Sequence, residues 1–153
     1  MALENKLGIN DSAGKIRDLN LAKGSFRFAP VMYLQGAIGN IEKMPQATFD
    51  DIIEKYVEMN IAHPFREGNG RSTRIWLDMI LKTELNLVVD WSRIDKDDYL
   101  LAMERSPIKD IEIKHILRQA LTDKIDDREI YMKGIDHSYF YEGYAVYKAK
   151  DLR

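Results

Sequence analysis

The sequence predicts an all-α fold, a compact helical bundle with one short β-hairpin flap. Three observations indicate this fold. Apolar residues recur at steps of three and four along most of the chain. No internal repeat or low-complexity tract interrupts that pattern, and 153 residues are enough to bury one continuous core. We therefore expect a single domain over residues 1–153.

The first clearly amphipathic segment begins after Thr48, a residue type favoured at helix N-caps. Its apolar side chains share one helical face: Phe49, Ile52, Ile53, Tyr56 and Val57. Because Pro64 disfavours helical geometry at the preceding residue, this helix should end at about His63. A second helix should begin near Arg71. Its stretch 75–81 is apolar nearly all round, so we expect that helix at the centre of the core.

The segment from Lys23 to Pro30 departs from the helical pattern. Gly24, the alternation of Phe26 and Phe28, and the closing proline favour a short hairpin or flap. The same helical periodicity predicts further helices at about Pro30 to Lys43, Ser92 to Arg105, Lys109 to Leu121 and Arg128 to Lys148.

Composition narrows the class of protein. The formal net charge is −2, and the acidic and basic residues are scattered along the sequence. Because no basic stripe is visible, we expect no direct nucleic-acid binding. Cysteine is absent, which excludes disulfides, a thiol nucleophile and thiolate metal sites. The apolar runs are too short to cross a bilayer and the first residues do not resemble an export signal. These features predict a cytoplasmic protein without a membrane partner, although an effector exported by another route would show the same features.

The loop between the two central helices carries the chemistry. From His63 to Arg74 it combines a base, an acid, a glycine-flanked amide and two guanidiniums. Gly68 and Gly70 allow backbone conformations closed to other residues and let a ligand approach the main chain. Successive N–H groups there, together with the positive end of the following helix, form an anion-binding concavity. A phosphate chain is the expected occupant.

Four side chains in the loop suit a nucleotide and an incoming hydroxyl group. Arg71 and Arg74 lie three residues apart on the first helical turn and can form bidentate hydrogen bonds to phosphate oxygens. Glu67 would repel those oxygens unless a cation intervened, which is typical of a Mg²⁺ site. His63 can accept a proton near neutral pH and stands at the rim, as a general base should.

The twelve residues from His63 to Arg74 read His-Pro-Phe-Arg-Glu-Gly-Asn-Gly-Arg-Ser-Thr-Arg. They resemble, position for position, the signature His-x-Phe-x-(Asp/Glu)-Gly-Asn-Gly-Arg-x-x-Arg of the Fic family of AMP transferases. The resemblance implies that His63 deprotonates a target hydroxyl group and that Glu67 holds Mg²⁺. It also implies that Asn69 and the surrounding backbone steady the α-phosphate of ATP.

For the rest of the loop, the resemblance implies that Arg71 and Arg74 bind the outer phosphates and that Phe65 anchors the loop in the core. The related Doc-type kinases have lysine in place of Gly70 and transfer the γ-phosphate. Gly70 therefore favours AMP transfer from ATP to a protein hydroxyl, although another nucleotide donor stays open.

A second resemblance lies in the predicted helix from Arg128 to Lys148. The segment Ser138 to Gly143 is similar to the family's inhibitory motif, (Ser/Thr)-x-x-x-Glu-(Gly/Asn), in which Ser138 and Glu142 occupy the fixed positions. The resemblance implies that Glu142 pairs with Arg74, takes the place of the γ-phosphate and holds ATP in an unproductive pose.

The predicted flap is similar to the family's target-docking flap, which consists here of Ser25, Phe26, Arg27 and Phe28. An extended segment of a target protein could add main-chain hydrogen bonds to such an edge. The target itself is not identified by the sequence. The resemblance also allows a homo-oligomer, and automodification of exposed tyrosines stays open. The front of the chain departs from many relatives, since Ser12 stands where they have an aromatic residue.

Two other functions stay open at this point. The loop could hold ATP in a binding module that docks partners without turnover, but such a module would not need a base at His63. Alternatively, the protein could transfer another nucleotide or another phosphate group. Labelled ATP distinguishes these alternatives, because the position of the label shows which phosphate reaches the protein.

Overall fold

Five α-helices and two small sheets make up the described part of the chain, residues 15–23, 26–65, 68–127 and 130 of this computed structural model. In chain order the elements are β1 (Ala22–Lys23), β2 (Phe26–Arg27), α1 (Val31–Glu42), α2 (Phe49–Ala62), α3 (Asn69–Leu85), β3 (Val88–Val89), a 3-10 helix (Trp91–Arg93), α4 (Lys96–Arg105), α5 (Ile111–Gln119) and β4 (Leu121–Thr122). The all-α prediction with a hairpin flap is confirmed.

The flap is an antiparallel pair in which Ala22 faces Arg27 and Lys23 faces Phe26. Helix α1 follows it directly and begins after Pro30, whose φ of −60° matches the helical entry. The side chain of Asn20 accepts the first free N–H of α1, from Val31, at 2.8 Å. The flap is therefore tied at its base to the start of a helix.

Helix α2 occupies the centre of the bundle, where the sequence had predicted α3. Eight of its fourteen residues are buried, and it packs against α1, α3 and α5. Helix α3 leaves one side open instead, since Ile75 and Met79 are 42% and 47% exposed. Some apolar residues of α3 therefore face outward instead of into the core. Because the stretch 75–81 is apolar nearly all round, its periodicity could not show which side is exposed.

Two hydrophobic clusters meet on α2. The larger joins α2, α3, α4 and α5 around side chains such as Tyr56, Leu77 and Leu117. The smaller joins α1 to the other side of α2 through Met59 and Ala62. Because α2 contributes to both clusters, it is packed on two sides. This packing fixes the position of His63, the residue that follows α2.

The predicted helix from Ser92 to Arg105 is interrupted. A 3-10 helix covers Trp91–Arg93, and α4 begins only at Lys96. Asp95 explains the break, because its carboxylate accepts the N–H of Asp98 at 3.0 Å and caps a new helix start. Local capping chemistry therefore overrides the continuous apolar pattern.

The small sheet formed by β3 and β4 was not predicted. Val88 pairs with Thr122 and Val89 with Leu121, so the predicted helix that reached Leu121 is wrong at its end and stops at Gln119. Two-residue strands are too short to show alternation in a sequence, and their pairing joins residues more than thirty positions apart.

Several predictions fall outside the described residues and stay predictions. They concern the helix from Arg128 to Lys148 apart from Ile130, the inhibitory residues Ser138 and Glu142, the proposed magnesium ligand Glu67, and Ser25 of the flap. Within the ranges that the structure describes, none of the helices is both long and apolar enough to traverse a lipid bilayer.

Candidate phosphate-binding site

His63 stands at the junction between α2 and the loop. Helix α2 ends at Ala62, and His63 adopts a left-handed conformation with φ 51° and ψ 65°. Its N–H still donates to the carbonyl of Met59 at 3.0 Å, which closes the last turn of the helix. The following proline favours this exit from helical geometry, as the sequence predicted.

The imidazole of His63 stacks on a side chain of the flap. Its ring lies 3.8 Å from that of Phe28, centroid to centroid, and the planes differ by 13°. Sequence reasoning placed both residues near the target, but did not predict their contact. The stack means that the proposed base and the proposed docking surface form one unit.

A buried arginine outside every recognised motif supports this junction. Arg17 is 3% exposed, and its guanidinium donates to the carbonyl oxygens of Ala62 at 2.8 Å and His63 at 2.5 Å. Burial lowers the pKa of Arg17 by desolvation. Sequence reasoning missed this residue, because an arginine in a loop shows no periodicity and its partners lie 45 and 46 positions away.

Asn69 braces the loop that follows. Its side-chain oxygen accepts the N–H of Phe65 at 2.7 Å, and its Nδ2 donates to the carbonyl of Phe65 at 2.5 Å. The Phe65 ring is itself buried in the core and 1% exposed. Asn69 therefore folds the loop by closing it on Phe65, and its predicted contact with the α-phosphate stays a prediction.

Gly68 makes the sharp entry into α3. It has φ 74° and ψ 17°, a left-handed conformation that side chains other than glycine rarely adopt. Gly70 differs from the sequence expectation, because it lies within α3 in helical conformation. Only Gly68 is thus required for the turn, while Gly70 offers a ligand the bare backbone of the first helical turn.

The start of α3 suits an anion. The first N–H groups of a helix have no partner within it, and Gly68 has no side chain with which to cap them. The first turn of α3 carries no acidic residue. The preceding helix, α2, ends at His63, whose side chain is an imidazole. The hydroxyl group of Ser72 is buried with no hydrogen-bond partner among the described residues. These donors fit a phosphate, which accepts several hydrogen bonds.

The two arginines of the loop have different surroundings. Arg71 is half-buried on the first turn of α3. Arg74 is 3% exposed, and its guanidinium carbon lies 5.9 Å from the centroid of the Trp91 ring. Arg71 therefore stands nearer the rim, while Arg74 is packed against the core.

A half-buried acid one helical turn after Arg74 also escaped sequence reasoning. Asp78 accepts the N–H of Val89 at 2.8 Å and the indole N–H of Trp91 at 2.9 Å. Burial raises the pKa of Asp78 to about 6, against the opposing effects of those hydrogen bonds and of Arg74. Its position four residues after Arg74 on a helix was the one signal that could have revealed it.

The structure thus brings His63, Phe28 and the start of α3 into one region of the chain. Asn69 and Gly68 shape the loop, and the side chains of the flap are described only in part, at Arg27 and Phe28. Among the described residues no cluster of three acidic or histidine side chains could hold a metal. The magnesium prediction depends on Glu67, a single carboxylate that would share the ion with phosphate oxygens.

The fold is a helical bundle with a flap, and the start of α3 suits an anion. Comparison with known proteins identifies the family. The family model described as Fic/DOC family matches residues 2–81, more than half of the chain. The protein belongs to the Fic/DOC family.

Individual relatives share only about a quarter of their aligned residues with this chain. The chain is 25% identical over 134 residues to the probable protein adenylyltransferase Fic of Salmonella typhimurium, covering 75% of this chain and 63% of that protein. It is 26% identical over 132 residues to the protein adenylyltransferase VbhT of Bartonella schoenbuchensis, covering 77% of this chain and 27% of that protein. The chain therefore spans less than two thirds of the length of either relative.

Solved structures share the fold at low sequence identity. The effector protein BepC of Bartonella tribocorum, crystallised with bound AMPPNP, superposes with a TM-score of 0.59 at 17% identity and covers 72% of this chain and 66% of its own. The type IV secretion system effector protein BepA gives a TM-score of 0.60 at 17% identity, covering 76% and 49%. These similarities establish the architecture.

Proposed function

We propose that this protein is an adenylyltransferase that moves AMP from ATP to a hydroxyl group of a target protein. The proposal rests chiefly on one arrangement: His63 follows the end of α2, and α3 begins after the left-handed Gly68 with no side-chain cap from that residue. Membership of the Fic/DOC family and the names of two relatives support it. So does the AMPPNP that is bound in a protein of the same fold.

In the proposed reaction the target hydroxyl oxygen attacks the α-phosphorus, and the bond from that phosphorus to the bridging β-phosphate oxygen breaks. Pyrophosphate leaves, and the hydroxyl proton passes to the imidazole of His63. The N–H groups at the start of α3 and the guanidinium of Arg71 stabilise the negative charge that develops on the phosphates. AMP then remains joined to the target by a phosphodiester bond.

The flap would hold the target beside His63. The flap is a pair of two-residue strands. An extended segment of the target could add to the edge of this pair through main-chain hydrogen bonds. Phe28 stacks on the His63 ring, so a target bound to the flap lies next to the base. We propose that Glu67 holds Mg²⁺, which would supply charge neutralisation at the phosphate oxygens when bound.

We also propose that Glu142 inhibits the enzyme. A carboxylate that paired with Arg74 would occupy the place of the γ-phosphate and misplace the α-phosphate. Arg74 is 3% exposed, so a partner that reaches it is largely removed from water, where an ion pair is stronger than at the surface. Removal of that one carboxylate should therefore increase activity.

The first prediction tests this function. Wild type, Glu142→Gly, His63→Ala and His115→Ala are each incubated with Mg²⁺, a cell lysate and ATP labelled at the α- or γ-phosphate. We expect protein labelling from the α-position alone, increased by Glu142→Gly and decreased by His63→Ala by about 10²- to 10⁴-fold, the usual contribution of a general base. His115 is an exposed histidine of α5 and serves as the matched control.

Transfer of γ-label would show a kinase instead, and nucleotide binding without transfer of either label would show a binding module. Equal labelling by Glu142→Gly with and without an added His63→Ala would contradict the role of the base. Calorimetry of ATP binding to Glu142→Gly, with and without Mg²⁺, separates a missing nucleotide site from a missing target.

A further inference from the structure

The side chain of Arg17 links three separate parts of the chain. Its guanidinium donates to the carbonyl oxygens of Leu19 at 2.8 Å, Ala29 at 2.5 Å, Ala62 at 2.8 Å and His63 at 2.5 Å. A planar guanidinium with five N–H donors can serve this many acceptors in fixed directions, which an ammonium group cannot do. The Arg17 side chain thus joins these segments by hydrogen bonds to their backbone carbonyls.

Two of those acceptors, the carbonyls of Ala62 and His63, lie at the C-terminal end of α2. The final carbonyls of a helix have no partner within it and form the negative end of its dipole. A buried cation at the carbonyls of Ala62 and His63 therefore both satisfies them and complements that charge. The backbone N–H of Arg17 also donates to the carbonyl of Pro64 at 2.8 Å, so the contacts continue into the loop.

The carbonyl of Ala29, another of the four acceptors, lies next to the flap. Ala29 follows Phe28, whose ring stacks on the imidazole of His63. The carbonyl of Ala29 and the carbonyl of His63 thus bind one guanidinium, while the two rings are in contact. Arg17 fixes the distance between the flap and the histidine from the backbone side.

We propose that Arg17 is a positioning residue that holds the imidazole of His63 and the flap in a single arrangement for the target hydroxyl group. This inference rests on the proposed adenylyltransferase function. His63 is held with a positive φ, which is costly for a residue other than glycine and persists only when neighbouring contacts enforce it. The Arg17 hydrogen bonds supply that enforcement.

The second prediction concerns Arg17→Lys and Arg17→Met in the 153-residue chain. The protein has three histidines, so the imidazole resonances of His63 can be assigned in NMR spectra by comparison with His63→Ala. We expect both Arg17 variants to shift the His63 resonances, because the Phe28 ring no longer shields them in a fixed stack. Folding is verified by circular dichroism, and Arg17→Lys serves as the milder variant.

Lys55→Met is the matched control. Lys55 is likewise buried at 3% exposure, and its ammonium donates to the carbonyls of Glu42 at 3.1 Å and Met44 at 3.2 Å at the end of α1. Its loss should lower stability as the loss of Arg17 does. It should leave the His63 resonances in place, since Lys55 does not touch the junction of flap and loop.

Kinetics in the Glu142→Gly background provide the second readout. We expect the turnover number for AMP transfer to fall by about 100-fold in Arg17→Lys, as for other misplaced catalytic groups. The dissociation constant for ATP should stay unchanged, because the proposed phosphate donors lie on α3.

Unshifted His63 resonances in a folded Arg17→Met protein would overturn the positioning role, and so would a loss of ATP binding equal to the loss of turnover. The NMR comparison does not need turnover. If the Glu142→Gly protein itself transferred no AMP, the proposed function would fail, while the resonances would still decide whether Arg17 orders His63.

Discussion

At the scale of single residues, the buried Arg17 and the half-buried Asp78 support the site through hydrogen bonds to other segments. Arg17 binds backbone carbonyls around His63, and Asp78 binds the N–H groups of Val89 and Trp91 under Arg74. Each charged group is compensated by oriented hydrogen bonds rather than by water. The residues of the loop motif therefore depend on partners that the motif does not contain.

The third prediction concerns the pH dependence of stability through Asp78. Burial raises the pKa of this carboxyl from the ordinary 3.8 to about 6, so the folded protein holds the proton more tightly than the unfolded chain. Between about pH 4 and pH 6 the contribution of Asp78 to the free energy of unfolding should decrease as the pH rises. The difference in pKa corresponds to about 3 kcal/mol, and no further change is expected above that range.

Denaturant unfolding of wild type and Asp78→Asn at several pH values measures this contribution. The stability of wild type relative to the variant should fall as the pH is raised from about 4 to about 7. Asp123→Asn, at an exposed carboxylate just after β4, is the matched control and should show no such trend. A difference between wild type and Asp78→Asn that stays constant with pH would contradict the prediction.

At the scale of secondary structure, capping determines where the functional elements begin and end. Thr48 caps α2, since its hydroxyl oxygen accepts the N–H of Asp51 at 3.1 Å, and Asp50 and Asp51 complement the positive helix end. The other end of α2 leads into His63. The opposite arrangement holds in α3, whose start at Gly68 has no side-chain cap and leaves its donors to a ligand.

The fourth prediction follows from the cap of α2. Thr48→Ala should lower the free energy of unfolding by about 1 kcal/mol, because the N–H of Asp51 loses its acceptor. Thr48→Ser retains a hydroxyl group at the same position and should lie close to wild type. Midpoints of urea unfolding give the comparison, and an alanine variant as stable as the serine variant would show that the cap contributes nothing.

At the scale of the whole molecule, α2 connects the parts that act together. Its apolar faces join both hydrophobic clusters, and the hydroxyl group of Tyr56 hydrogen-bonds that of Tyr99 on α4. Burial raises the pKa of Tyr56 well above its ordinary value, so this phenol stays neutral and can take part in the pair. The scaffold behind His63 is thus held by α1, α3 and α4 together.

The fifth prediction tests the link between α2 and α4. Tyr56→Phe, Tyr99→Phe and the double variant form a cycle, because each single change removes one hydroxyl group and preserves the ring. We expect a coupling energy on the order of 1 kcal/mol, since either single variant leaves the other buried hydroxyl short of a partner. Free energies of unfolding from urea titrations supply the four values. Strictly additive changes would show that the two hydroxyl groups do not interact.

The sequence alone located the three helices that carry the loop and identified the loop motif. Helical periodicity located both ends of α1 and α2 and the start of α3 within about two residues, and Pro64 predicted the end of α2 at His63. The family resemblance followed from the same twelve residues. All of these features are local, because spacing, caps and proline act on residues a few positions apart.

Tertiary structure alone decided which helix is central and what supports the histidine. The position of α2 at the centre, the pairing of β3 with β4 and the hydrogen bonds of Asp78 each depend on contacts between separate segments. The contact of Arg17 with His63 spans 46 positions and joins a side chain to a backbone carbonyl. Every residue has such a carbonyl, so no pattern of residue types in the sequence marks which one a buried arginine binds.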